Sequence, residues 1–332
     1  MSGRIGAFQK AMAFEEVDEI PVIPLMSGWI ARFSGIPFES LIRDPGSVVR
    51  IQVAAQEAVG YDALFGGMDA VFVPEAYGCS VTCSSSGALD ALTLHVETPE
   101  DVETLPIPNI RKDGRFPAML EIADRLVNLR GRKVPVLCGV EGPFTNCARI
   151  IGTEKVMRAV KKSMPLVERL LQSVEKTLSR YAHALEEIGV DGLIVADPCG
   201  STTMVSPLIF REVVFPALQR FIMSTSIPVI LHVCGDTYPI LGTMAETGAS
   251  VLSLDQCMDL DSAKRQIACR CGIGGNVDPI NVLLQGSVED VKRETERCLR
   301  VGGKRGFVLM PGCSVPPDTP IENLRAMVRN AK

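Results

Sequence analysis

The run Leu231-His232-Val233-Cys234-Gly235 sets an imidazole and a thiol two residues apart. Alternate residues of a strand face the same side, so both groups can reach one ligand. Zinc accepts both donor types. A structural zinc site usually recruits close pairs of ligands and closes with four, but only one pair stands here. Cys313, in Pro311-Gly312-Cys313, ends another candidate strand 79 residues downstream. Distant strands meet at one face of a barrel, so that separation is no obstacle to a shared ion. Three protein ligands and an open position describe a catalytic site. A lone His-x-Cys pair is also a common way to fill a core; Cys313 and the Gly235-Asp236 turn favour the metal.

Zinc in such a site could acidify a bound water or hold a substrate thiol as thiolate. Sulfur ligands add negative charge to the ion, which weakens it as a Lewis acid and leaves a bound thiolate nucleophilic. The His-Cys-Cys set therefore suits thiol alkylation better than hydrolysis. The other cysteines suggest packing. Cys269-x-Cys271 follows a candidate helix between Arg265 and Arg270, Cys79 and Cys83 have no partner pair, and Cys138, Cys147, Cys257 and Cys298 fit core or helix positions. His95 and His183 read as ordinary residues, His183 inside a long helix.

Apolar runs at 21–26, 63–66, 134–140, 192–196, 229–233, 251–254, 272–277 and 306–310 read as strands. Amphipathic segments at 165–188, 207–224, 238–247, 288–301 and 321–331 read as helices between the later ones. Continuous apolar strands alternating with helices imply a parallel sheet buried on both faces. About eight strands in a chain of this length favour an α/β fold of the (β/α)8 TIM-barrel type over a doubly wound sheet. Several runs lead into polar turns: Asp197-Pro198, His232 to Asp236, Asp255-Gln256, Asn276 to Pro279, and Pro311 to Cys313. In a barrel these ends share the C-terminal face, where active sites are built. Helix signals agree: Thr153 and Glu154 can start a helix over 155–162, Pro207 suits a first turn, and Gly189 and Gly248 suit helix ends. Prolines at 99, 106, 108 and 117 break residues 69–117 into an irregular insertion. The expectation is one barrel domain over 1–332.

The chain has 332 residues, a net charge of −5 and 46% apolar residues, enough for a large core. Its basic residues are scattered, the densest runs being Arg130, Arg132 and Lys133, and Lys161 with Lys162, so no nucleic-acid surface is expected. Eleven cysteines, an odd number, argue against a fully paired secreted framework. No apolar run long enough to cross a membrane is present. With no basic-then-apolar leader at the start, this suggests a reduced, cytoplasmic protein without membrane partners.

Gly274-Gly275-Asn276-Val277-Asp278-Pro279, Ile20-Pro21-Val22 and Glu141-Gly142-Pro143-Phe144 resemble the uroporphyrinogen decarboxylase superfamily, whose fold is a (β/α)8 barrel. His-x-Cys-Gly-Asp followed far downstream by Pro-Gly-Cys resembles one branch, the methylcobamide:coenzyme M methyltransferases of methylotrophic methanogens and their bacterial relatives. Ala196-Asp197-Pro198, Ser253-Leu254-Asp255-Gln256 and the 316–323 run support it. The resemblance implies that His232, Cys234 and Cys313 hold zinc. It also implies a corrinoid protein as partner and methyl donor, and a small thiol such as coenzyme M as acceptor, within methanogenesis or other one-carbon metabolism. Bacterial relatives without coenzyme M would need another acceptor, homocysteine or tetrahydrofolate. A non-catalytic corrinoid-protein partner is a further alternative, disfavoured by the intact triad. Decarboxylases carry an arginine-rich segment near the first strand; here it reads Leu25-Met26-Ser27-Gly28-Trp29-Ile30 with Arg32 alone nearby. A tetrapyrrole with many carboxylates would lack its counter-charges.

Other residues take expected roles on this reading. Asp255 could be a fourth ligand, could orient His232 as a hydrogen-bond acceptor, or could cap its own loop. Asp197 and Glu141 are catalytic candidates in the pocket wall, although an Asp-Pro turn explains Asp197 equally well. Asn276 and Asp278 could contact substrate or hold the strand-end turn. Asp69, after Phe65-Gly66-Gly67-Met68, lies where the family places polar pocket residues.

Overall fold

The computed structural model describes residues 3–67, 69–83, 89–129 and 131–332. Among the described residues nine strands are present: β1 (Leu64–Phe65), β2 (Val81–Cys83), β3 (Leu89–Ala91), β4 (Val136–Glu141), β5 (Gly192–Ala196), β6 (Val229–His232), β7 (Val251–Ser253), β8 (Gly272–Val277) and β9 (Phe307–Pro311). Seven of them form one parallel sheet in the order β1-β4-β5-β6-β7-β8-β9. Their residues are buried along almost the whole length, as helices packed outside a curled sheet require.

Residues 20–26 close the curl between its two edges. Leu309 N donates to Pro21 O and Ile23 N to Leu309 O, each at 2.9 Å. On the other side Asp62 N donates to Val22 O (2.8 Å), and Val22 N to Asp62 Oδ2 (2.9 Å). The fold is therefore the expected α/β barrel, with a correction at its first strand. The run at 21–26 makes only a single bridge, Val22 with Leu309. Pro21 and Pro24 lack the N–H groups a ladder needs.

Helices follow the strands, with three more corrections. The segment expected as one helix over 207–224 is Pro207–Ile209, a π-helical turn Phe210–Val214, and Phe215–Met223. Pro216 cannot donate to the carbonyl four residues back, and the wider turn absorbs the missing bond. Only Leu241–Met244 is helical within 238–247. The helix Thr153–Lys162 starts at Thr153 itself, after Gly152, with no side-chain cap.

Between β1 and β4 the chain makes the irregular run read from its prolines. It holds the helix Phe72–Ala76, the antiparallel pair β2–β3 and the helix Pro99–Thr104, whose Thr98 and Asp101 form a capping box. Residues 84–88 of this run, Met68 and Arg130 lie outside the described residues, as does the Cys83 side chain of the Cys79–Cys83 spacing. Phe72, Phe116 and Tyr181 meet edge to face, ring centroids 5.2–5.4 Å apart, and fasten the run to the long helix Met164–Ile188. Among the described residues no helix is long and apolar enough to cross a membrane.

Candidate metal centre

The sheet brings His232, Cys234 and Cys313 together at the C-terminal mouth of the barrel. One ligand atom from each lies within 4.8 Å of the others. His232 ends β6, Cys234 follows in the adjoining turn, and Cys313 lies two residues beyond β9. The His232 ring is buried, with Nδ1 3.2 Å from both the carbonyl and the hydroxyl of Ser253, its register partner on β7. A backbone carbonyl only accepts, so Nδ1 carries the proton and Nε2 keeps its lone pair. That lone pair faces the thiols, with Nε2 3.2 Å from Cys234 Sγ.

The donor set fits a zinc ion. Tetrahedral zinc with such ligands spaces them about 3.5–3.8 Å apart. A small adjustment of two loop thiols and a fixed imidazole reaches that geometry. The neighbouring Cys234 thiol and His232 hold Cys313 well below the usual thiol range, while the hydrogen bond to Cys313 and burial push Cys234 far above it. Among the described residues no fourth His, Cys, Asp or Glu joins the cluster.

The Cys234 turn is gripped from both neighbouring loops. Ser201 Oγ donates to Cys234 O (2.8 Å) and Thr202 Oγ1 to Asp236 O. From the other side Gly235 N donates to Asp255 Oδ2 (2.8 Å). Gly235 has φ +81°, a conformation that favours glycine.

Asp255 does not orient His232, because Ser253 occupies that place. Its other oxygen accepts Cys257 N (3.1 Å), so it clasps backbone with both oxygens. Asp197 is fully buried at the end of β5. It accepts Thr145 N (2.8 Å), Thr145 Oγ1 and Phe144 N (3.2 Å), and so caps the helix Pro143–Ile151 across the strands. Burial pushes its carboxyl up to about 7, against the pull of those hydrogen bonds. Glu141 ends β4 and forms a forked pair with Arg149, including Nη2 to Oε1 at 2.7 Å. Burial raises its carboxyl and Arg149 opposes the shift.

Asn276 is buried, and its side-chain amide spans the loop after β7. Asp278 caps the turn that follows β8, accepting Ile280 N and Asn281 N at 2.8 Å. Asp69 is buried in an ion pair with Arg115 and accepts Val71 N (2.8 Å). The structure thus joins the three metal candidates and gives the six polar candidates protein partners of their own.

The other histidines are elsewhere. His183 Nε2 is 2.7 Å from Ser224 O, and His95 is exposed beside Glu97. Cys269 and Cys271 precede β8, at the opposite end of the strand from the mouth. Ser201 carries no signal of its own in the sequence, and Ser253 and Gly312 stand there within motifs that do not reveal their roles. Ser253 becomes visible only once the parallel register sets β7 against β6.

The family model described as uroporphyrinogen decarboxylase (URO-D) matches residues 5–332. The chain belongs to the uroporphyrinogen decarboxylase family. Family relatives of two kinds resemble it. The methylcobamide:CoM methyltransferase MtaA of Methanosarcina barkeri is 28% identical over 96% of this chain and 94% of its own. The uroporphyrinogen decarboxylase of Thermus thermophilus is 28% identical over 87% of this chain and 84% of its own. A solved methyltransferase from Methanosarcina mazei superposes with a TM-score of 0.92 and 28% identity, covering all of this chain and 98% of that one. A B12-independent methionine synthase from Shewanella, at 12% identity and a TM-score of 0.60, shares the fold. The family's barrel is thus common ground to both kinds of relative. Arg32, the lone arginine of the first-strand segment, is exposed and paired with Asp318 at 2.8 Å.

Proposed function

We propose that the chain is a zinc-dependent methyltransferase that moves a methyl group from a methylated corrinoid, carried by a partner protein, to a thiol such as coenzyme M. The carrying observation is the convergence of His232 Nε2, Cys234 Sγ and Cys313 Sγ in a chain alike over its length to methylcobamide:CoM methyltransferases. Those three atoms would hold the ion, with the fourth position left to the acceptor. Bound there, zinc keeps an acceptor sulfur deprotonated at neutral pH. Ser253 keeps the imidazole in the metal-binding tautomer, and Asp255, Ser201 and Thr202 hold the Cys234 turn. The acceptor sulfur gains the methyl carbon, and the electron pair of the broken carbon–cobalt bond stays with the corrinoid.

The donor must approach the mouth. Met204 and Leu208 stand exposed on the segment after β5, and Ile280 on the turn after β8, apolar side chains that a partner protein could cover. The paired Arg32 supports methyl transfer over decarboxylation of a polycarboxylate. The test is demethylation of methylcobalamin with coenzyme M, homocysteine and tetrahydrofolate, alongside zinc analysis. Zinc-loaded protein should accelerate the reaction with a thiol, and Cys234→Ala should lose both the metal and at least a hundredfold in rate. Acceleration with tetrahydrofolate alone would move the acceptor, and no acceleration in zinc-replete protein would refute methyl transfer. A Cys234→Ala protein that keeps its zinc would refute the ligand set.

A further inference from the structure

Cys234 and Cys313 sit in different loops, and the loop after β7, residues 255–258, lies between them. It touches both. On one side the Asp255 carboxylate accepts Gly235 N, next to Cys234, at 2.8 Å. On the other side Gly312, next to Cys313, packs so closely that a Cβ there would stand 2.3 Å from Gln256 N.

One amide on β8 ties both ends of this loop to the sheet. Asn276 Nδ2 donates to Asp255 O (2.9 Å) and to Met258 O (2.7 Å), the two ends of the loop. Asn276 Oδ1 accepts Arg297 Nη2 at 3.0 Å. Two carbonyls on one side and a guanidinium on the other assign the amide orientation without ambiguity. The side chain is 1% exposed, so water cannot replace these bonds. An aspartate here would turn an oxygen toward two carbonyls, and an alanine would take the side-chain donor from both, leaving Asp255 O with its bond from Met258 N (3.0 Å).

We propose that Asn276 is a positioning residue for the metal centre: it fixes the β7 loop, and that loop sets the separation of Cys234 and Cys313. The proposal rests on the metal reading above. Asn276 does not meet the ion; it acts through Asp255 on the Cys234 turn and through Gln256 on the Cys313 turn. Ligand spacing is then decided one layer away from the ligands, where such support commonly governs metal affinity.

The experiment is a Co(II) titration of metal-free protein, followed by the thiolate-to-cobalt and d–d absorption bands. Asn276→Ala and Asn276→Asp should bind Co(II) about 10–100-fold more weakly, with altered bands. Gly312→Ala should do the same from the other side of the loop. Asp278→Ala removes a turn cap at the same strand end and should lower the unfolding temperature while leaving affinity and bands at wild-type values. Wild-type affinity and bands in the Asn276 and Gly312 variants would overturn the proposal, and so would an equal loss in Asp278→Ala. Should Asn276→Ala fail to fold, Gly312→Ala and Arg297→Ala decide it by the same readout. Wild-type protein that takes up no Co(II) would instead overturn the metal reading itself, before any variant is compared.

Discussion

At the scale of single residues, the site owes its chemistry to which atoms are already engaged. Ser253 fixes the His232 proton on Nδ1, and backbone amides occupy both oxygens of Asp255. Asp197 shows the energetic side. In an unfolded chain its carboxyl ionises near about 4; burial in the folded protein pushes it up to about 7. Between those values the native state holds a proton that the unfolded state has lost. This group's contribution is therefore complete below about pH 4 and declines as pH rises through about 7. Urea unfolding at a series of pH values should show stability falling from pH 5 to pH 8. Asp197→Asn should flatten that slope while lowering stability by about 1 kcal/mol through the weakened helix cap. The candidate metal triad was legible because the donor types and two-residue spacing of His232 and Cys234 at a strand end suit a shared ligand, although Cys234 lies in the turn beyond the strand. Ser253 was not, and Asn276 was legible as a strand-end candidate without its partners, because those partners depend on cross-strand register and loop path.

At the scale of elements, continuous apolar runs identified all seven strands of the sheet closely and the long helices nearly to the residue. Failures fell where tertiary bonds override local pattern. Residues 21–26 read as a strand but contribute one bridging residue, and the helix read over 207–224 widens into a π turn before Pro216. The proline-rich run between β1 and β4 was legible as irregular, but neither its hairpin nor its aromatic fastening was. That fastening is measurable. Phe116 is fully buried between Phe72 and Tyr181, so Phe116→Ala should cost about 3–5 kcal/mol in urea unfolding. Zinc content per folded molecule should stay unchanged, since the cluster lies outside the mouth loops that carry the ligands.

At the scale of the whole molecule, the barrel is a single sheet whose edges meet through residues 20–26. The order of elements was readable from the alternation of strands and helices; the manner of closure was not, because prolines conceal it. The ligands are placed unevenly around this ring. His232 and Cys234 leave β6 while Cys313 leaves β9, and β7 and β8 stand between them. On the proposed function, an ion shared by these ligands would tie non-neighbouring strands by a chord across the mouth, as a cross-link would. Chelation should leave the helical content intact yet speed proteolytic cutting of the loops after β6 and β9, with zinc restoring resistance. On the zinc reading, persistence in the presence of proteases would become a function of metal supply: molecules without their ion would be removed first, and the surviving pool would be enriched in those ready to work.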